Sequence, residues 1–271
     1  MKITIVDDFA PKKIQISGQC FRVKETEPGV FRFITGEHVL YIKESDSKGD
    51  AKAFDISCSK KEWEKIWMPY FDMDRNYADI CNREYGKHSF SDKAIDCGRG
   101  LRILKQDKWE MLISFIISQR KSIPAISSAV EAISAKFGTK LDDEIYAFPT
   151  SKQMAGATLD DLKECGLGYR APYVYDAIRR ANSGELDLEK LDDLDDEGLF
   201  EALMEVHGVG KKVSNCVCLF AYARMGRAPV DVWIARAIDE EFGGVNPFPE
   251  YGENAGIIQQ YIFYYEKNGR A

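Results

Sequence analysis

Leu203-Met204-Glu205-Val206-His207-Gly208-Val209-Gly210-Lys211-Lys212-Val213-Ser214-Asn215-Cys216-Val217-Cys218-Leu219-Phe220 reads as a helix, a tight turn and a second helix. Gly208 and Gly210 permit a compact turn and leave backbone amides uncovered at the start of the second helix, where partial positive charge favours an anion such as a DNA phosphate. Such a grip holds the backbone and is blind to base sequence, with the amides up to Val213 available to it. A Gly-x-Gly turn alone is equally a packing device. The lysines add information: Lys211 and Lys212 occupy the first helical turn, where the macrodipole disfavours a cation. The same field lowers an amine's pKa, and a lysine nucleophile must be neutral when it attacks. Two solvated lysines helping to hold phosphate are the alternative, which suits Lys211 well.

Nineteen residues past Lys212, in Ala228-Pro229-Val230-Asp231-Val232-Trp233, an extended piece enters another helix with Asp231 at its N-cap. Taken alone, Asp231 is a helix cap. Further helical periodicity predicts helices over 108–119, 124–137, 171–182, 197–206, 211–224, 232–242 and 253–267. Before residue 98 the pattern differs. Ile3-Thr4-Ile5-Val6, Cys20-Phe21-Arg22-Val23, Val30-Phe31-Arg32-Phe33 and Val39-Leu40-Tyr41-Ile42 predict antiparallel strands, and Ser59-Lys60-Lys61-Glu62 predicts a capping box opening a helix that covers the sheet. The fold class is therefore α+β, with an antiparallel-sheet domain over 1–98 and an all-helical domain over 99–271.

The 271 residues carry a net charge of −7, which counts against a polyanion partner if spread evenly. It is not spread evenly. Gly184 to Glu205 holds ten acids and one lysine, whereas Arg99 to Ser122 holds six basic residues against two acids and Val206 to Arg236 holds five against one. Seven scattered cysteines without a Cys-x-x-Cys pair, and three distant histidines, predict free thiols in a reducing compartment and no metal site. The N-terminus lacks a charged, apolar leader and no apolar run is long enough to span a bilayer, so the expected setting is the cytoplasm.

These residues resemble the HhH-GPD superfamily of DNA glycosylases, whose helix-hairpin-helix, Gly/Pro-rich loop and aspartate are matched by Val206 to Val213, Arg224 to Pro229, and Asp231. Within it the chain is similar to the 8-oxoguanine DNA glycosylases. The likeness runs through Ser17-Gly18-Gln19-Cys20-Phe21-Arg22, Leu101-Arg102-Ile103-Leu104-Lys105-Gln106-Asp107, Ser114-Phe115-Ile116 and Gly166-Leu167-Gly168-Tyr169-Arg170-Ala171. It implies a sheet domain similar to the TATA-binding-protein fold, and a monomer acting without a cofactor on double-stranded DNA containing 8-oxoguanine. It also implies roles: Lys212 as Schiff-base nucleophile and AP lyase residue, Asp231 as the carboxylate stabilising positive charge on the sugar, and Gly18 as the carbonyl that reads the N7 hydrogen of the damaged base. Cys216, Gln259 and Phe263 match the base pocket, Tyr169 a wedge, and Arg170 a residue facing the orphaned base. For Cys216 or Phe263 alone, ordinary helix core would be the better explanation. Three departures resemble the bacterial branch and predict action at the bacterial nucleoid. Arg120-Lys121-Ser122 replaces three asparagines that fill the vacated stack, Ala125 replaces an arginine that reads the opposite cytosine, and Trp233 replaces a phosphate-contacting histidine. An alkylbase glycosylase would lack the lysine, and a non-catalytic hairpin module would have no use for Asp231.

Overall fold

The computed structural model describes residues 1–45 and 51–269. Its first part builds a five-stranded antiparallel sheet from β1 (Lys2–Ile5), β2 (Lys24–Glu27), β3 (Val30–Thr35), β4 (His38–Ser45) and β5 (Lys52–Ile56), in the order β1-β5-β4-β3-β2. Ile3 pairs with Phe54 and Ile42 with Ile56. Alternation along each strand sends Phe31 and Phe33, Leu40 and Ile42, and Phe54 and Ile56 to one face. There they meet Trp63, Trp67, Tyr70 and Phe71 from the helical stretch 60–71 in a single buried cluster. Phe71 stands edge-on to Phe9 and Phe33, with ring centroids 5.1 and 5.0 Å away. Ser59 caps this stretch by accepting the Glu62 amide at 3.2 Å. The turn widens to a π-helix over Trp63–Trp67 ahead of Pro69, which has no amide to continue the ladder.

The expected strands at Ile3–Val6, Val30–Phe33 and Val39–Ile42 fall in β1, β3 and β4, but Cys20–Val23 forms no strand. Cys20, Phe21 and Arg22 are buried one after another, which alternation on a one-faced sheet forbids; the strand begins instead at Lys24, where all four residues of β2 are exposed.

The chain packs as two compact units. The first comprises Met1–Phe33, Leu40–Lys105 and the chain from Ala223 onward; the second comprises Ile34–Val39 and Gln106–Tyr222. The 98/99 division read from the sequence leaves the whole five-stranded sheet, with several helices, before residue 99, whereas compactness adds the last two long helices to that unit. In the first unit, α5 (Ser89–Gly98) lies so close to α13 (Ala255–Asn268) that a Cβ on Gly98 would sit 2.6 Å from the Tyr261 ring. Arg102 is the polar anchor. Its buried guanidinium spends all five N–H groups, on the carbonyls of Phe71, Asp8, Asp72 and Arg75 and on the Asp7 carboxylate, and lies 4.2 Å from the Tyr77 ring centroid. A buried charge this fully paired avoids the desolvation cost that an unpaired one would carry.

In the second unit, α6 (Lys108–Ser118) is buried without interruption from Glu110 to Ser118 and serves as the central post. Against it pack α7 (Ile123–Phe137), α9 (Ala171–Ser183) and α11 (Lys211–Phe220), and α10 (Asp196–Met204) packs on α11. Helix α11 ends at Phe220 rather than running to Arg224, because the chain leaves the helix for a loop in which Ala223 takes a φ of 54°.

Candidate active site

The helix-hairpin-helix forms as read, from α10, the turn 205–210 and α11. Ser214 ties the two helices by donating to the Phe200 carbonyl at 2.8 Å. Gly208 is required twice over: its φ is +83°, and a Cβ there would lie 2.4 Å from Tyr173. Gly210 is different. As N-cap of α11 it is extended, at φ −104°, and nothing lies within 4 Å of its would-be Cβ, so no steric demand at this position calls for glycine. Val213 is 3% exposed, so its side chain is not available to a phosphate.

Lys211 is exposed and Lys212 half-buried. The Lys212 ammonium lies 5.1 Å from the centroid of the Phe115 ring, which stacks in turn on Phe220 at 5.5 Å. The amine is thus directed by an aromatic pair rather than by an acid. Cys216, one helical turn on, shares the Lys212 face and is 2% exposed.

A second cluster in this unit gathers Arg120, Lys121, Tyr169 and Arg170 around the end of α6. Arg120 holds a φ of +51°, unusual for a residue with a side chain, and is exposed. Tyr169 is 52% exposed, as a wedge must be. Arg170, expected to face an orphaned base, is 5% exposed and donates to the carbonyls of Gln119 and Leu167, at 2.8 Å from Nε and 3.2 Å from Nη1, with a further short contact from Nη2 to Gln119. The Lys121 ammonium donates to the Gly166 carbonyl at 2.5 Å. Burial and the neighbouring Arg170 charge hold it below the usual lysine range.

The first unit holds Gly18, Asp231, Trp233, Gln259 and Phe263. Gly18 has a φ of +77° and is clamped by both neighbours. The Gln19 side chain donates through Nε2 to the Arg102 carbonyl and accepts through Oε1 from the Leu104 amide, each at 2.8 Å, and the Ser17 carbonyl accepts from the Gln260 side chain at 2.6 Å. Asp231 is the N-cap of α12 (Val232–Glu241): Oδ1 accepts from the amides of Trp233 and Ile234 at 3.0 and 2.9 Å. Both cap bonds fall on this one oxygen. Gln259 on α13 is 4% exposed, yet its Oε1 has no hydrogen-bond partner in the structure. Phe263 follows it by one turn. Trp233, 37% exposed, lies under the Arg236 guanidinium, which pairs with Glu266 at 2.6 Å.

Sequence reasoning passed over Lys267, which extends the line Gln259, Phe263 by a further turn. Its ammonium sits 5.3 Å from the Phe263 centroid; burial pushes its pKa down while the Asp231 charge pushes it up, the burial prevailing. The i, i+4, i+8 spacing was the signal. A cavity of about 380 Å³ in the second unit, lined by Trp109, Phe148, Pro149 and Leu188 among others, contains none of the predicted residues. Among the described residues, no group of three or more metal-ligating side chains converges, and no helix is long and apolar enough to cross a membrane.

A helix-hairpin-helix with a lysine at its exit and an aspartate capping a following helix places the chain in a helix-hairpin-helix class of protein. The chain belongs to the HhH-GPD superfamily of base excision DNA repair proteins, which matches residues 113–253, with an 8-oxoguanine DNA glycosylase N-terminal domain matching 3–112. The 8-oxoguanine glycosylase/lyase of Clostridium acetobutylicum, solved with double-stranded DNA containing cytosine opposite to 8-oxoG, superposes with a TM-score of 0.89 at 33% identity, covering 100% of this chain and 99% of that one. A probable N-glycosylase/DNA lyase of Methanothermobacter thermautotrophicus is 31% identical over 62% of this chain and 64% of its own length. The N-glycosylase/DNA lyase of Saccharomyces cerevisiae is 36% identical over 56% of this chain, and the match spans 45% of that protein. The matches thus cover less than two thirds of these two curated relatives.

Proposed function

We propose that the chain is a bifunctional base-excision-repair enzyme that extrudes 8-oxoguanine from duplex DNA, removes it, and cleaves the abasic strand through a lysine Schiff base. A stacked base cannot present C1′ to a nucleophile, so it must first leave the helix, at a cost of a few kcal/mol that a damaged pair reduces. Tyr169 and Arg120 hold the gap while the hairpin amides and Lys211 hold phosphate. The Lys212 amine attacks C1′, the bond to the base breaks, and 8-oxoguanine departs with the bonding electrons and takes up a proton. The Asp231 carboxylate stabilises the positive charge on the sugar in this step. Opening of the sugar ring gives an iminium that acidifies C2′; loss of that proton expels the 3′ phosphate and nicks the strand. Gly18, Cys216, Gln259 and Phe263 recognise the extruded base.

The observation that carries this reading is the placement of Lys212, which stands in the first turn of α11 directly after the open Gly210, shares a face with Cys216 and has its ammonium steadied over Phe115. The unpartnered Gln259 oxygen, nine-tenths buried, supports a polar ligand at α13. We further propose that the enzyme works as a monomer, without metal or cofactor, in the bacterial cytoplasm at the nucleoid, with a sheet domain over 1–98 and the glycosylase domain over 99–271. Borohydride reduction during turnover on an 8-oxoguanine duplex is expected to trap a covalent protein–DNA adduct, and Lys212→Gln to form none. Trapping by Lys212→Gln would overturn the assignment.

A further inference from the structure

Three segments assigned above to DNA, the Arg120–Lys121 turn, the Tyr169–Arg170 pair and the Gly208 turn, are far apart in sequence but share one neighbour, Gln119. Its side-chain amide donates to the Ile116 carbonyl at 3.0 Å and to the Gly208 carbonyl, 89 residues away, at 2.9 Å. Both amide hydrogens are thereby used. Its backbone carbonyl accepts the Arg170 guanidinium through Nε at 2.8 Å and through a shorter bond from Nη2, and the Tyr169 hydroxyl at 3.4 Å. A residue that merely finished α6 would need only the local bond to Ile116; the bond to Gly208 does nothing for the helix end. The cross-link is reinforced from outside, because Tyr173 packs edge-on against both Tyr169 and His207, with centroids 6.2 and 4.7 Å apart. Gln119 is also the residue immediately before Arg120, whose backbone is held at positive φ.

We propose that Gln119 is a positioning residue for base extrusion: it fixes the wedge, Arg120 and Tyr169, in register with the phosphate-gripping hairpin, so that the duplex is pried open at the nucleotide whose backbone the hairpin holds. The inference rests on the DNA-contact reading of these segments. Extrusion demands that wedge and grip act on one duplex at a fixed separation, and a misplacement of about 1 Å at such a site costs on the order of a hundredfold in rate. Once the base is gone, that demand falls away, since an abasic nucleotide has no base to unstack.

The test compares two reactions of the full chain. Gln119→Met keeps the length and bulk of the side chain without its amide; Gln119→Glu keeps the shape but turns a carboxylate toward the Gly208 carbonyl. Single-turnover excision of 8-oxoguanine from a duplex is expected to fall by about ten- to a hundredfold in both variants. Borohydride trapping and strand cleavage on a duplex with a preformed abasic site are expected to stay within about twofold of wild type, and fluorescence of a 2-aminopurine beside the lesion to lose its unstacking signal. Wild-type excision in either variant, or equal loss of excision and abasic-site cleavage in both, overturns the proposal. The wild-type protein on the same lesion duplex reports on the underlying DNA-repair reading, so failure of that reading is distinguished from failure of the variant contrast.

Discussion

Asp231 has two duties, and they can be separated by substitution. Its Oδ1 takes both cap bonds, from the Trp233 and Ile234 amides, and the other oxygen is not used by the cap. Asparagine presents one carbonyl oxygen and caps helices about as well as aspartate, whereas alanine leaves the two amides unserved at a cost of about 1 kcal/mol. For a chain of this size that cost lowers the melting temperature by about 2–4 °C. The chemistry responds differently. Both substitutions remove the negative charge proposed to stabilise the sugar cation, and deleting a preorganised electrostatic group of this kind costs about a hundred- to a thousandfold in rate, roughly 2.7–4 kcal/mol. Asp231→Asn is therefore expected to melt within about 1 °C of wild type and to lose excision as completely as Asp231→Ala, which also loses the cap. Thermal denaturation followed by circular dichroism, beside single-turnover excision on a lesion duplex, measures both quantities. Should Asp231→Asn excise within tenfold of wild type, or melt as low as Asp231→Ala, the division of labour between the two oxygens is wrong.

Gly208→Ala places a Cβ 2.4 Å from Tyr173 on a residue with a φ of +83°. Left-handed strain and overpacking together cost about 3 kcal/mol, so the melting temperature is expected to fall by about 6 °C or more, with duplex affinity reduced in a gel-shift titration; an unperturbed variant would remove the argument for glycine at this position. Burial opposes ionisation of Asp7, but the Tyr77 and Ala78 amides and the Arg102 guanidinium prevail and hold its pKa below 3.8. A depressed carboxylate pKa contributes stability in full above the unfolded value and loses it as pH falls through the folded one. Urea midpoints of wild type and Asp7→Ala are accordingly expected to differ by a constant amount near neutrality and to converge below pH 3.8. A gap that persists unchanged into that acid range would rule out the ionised carboxylate as its source.

The parts of this molecule that are legible in the sequence are those encoded locally. Gly208 and Gly210, the lysines after them and the aspartate after Val230 announce turn, helix start and cap within a few residues, and each forms. Two strands are not announced by the sequence, β2, which is polar throughout, and β5, while Cys20–Val23 reads as a strand although Cys20, Phe21 and Arg22 are buried in succession. The two features hardest to read are the polar hubs. Arg102 and Gln119 are ordinary in their own neighbourhoods, and their importance lies in partners 27 to 95 residues distant for Arg102 and 50 to 89 for Gln119. No periodicity carries that information, because a side-chain hydrogen bond across elements is decided only when the elements have packed.

The structure also changes the weight of one argument for Lys212. From sequence, a cation in the first turn of a helix breaks a local rule, and the violation itself points to function. Placing a lysine there costs about 0.3–1 kcal/mol against the helix dipole. An ammonium over an aromatic face recovers about 0.5–1 kcal/mol at a partly exposed site, and Phe115 supplies that face at 5.1 Å. The two terms are of one size, so the position is electrostatically balanced, and strain no longer argues for catalysis. What argues for it is direction. Phe115, itself backed by Phe220 at 5.5 Å, holds the amine on the side of α11 that Cys216 shares, whereas Lys211, one residue earlier, stands exposed. A pair of lysines kept only for phosphate would have no need of that difference. The contrast between adjacent lysines, one steadied over a ring and one exposed to solvent, is the difference that the proposed roles of nucleophile and phosphate ligand require.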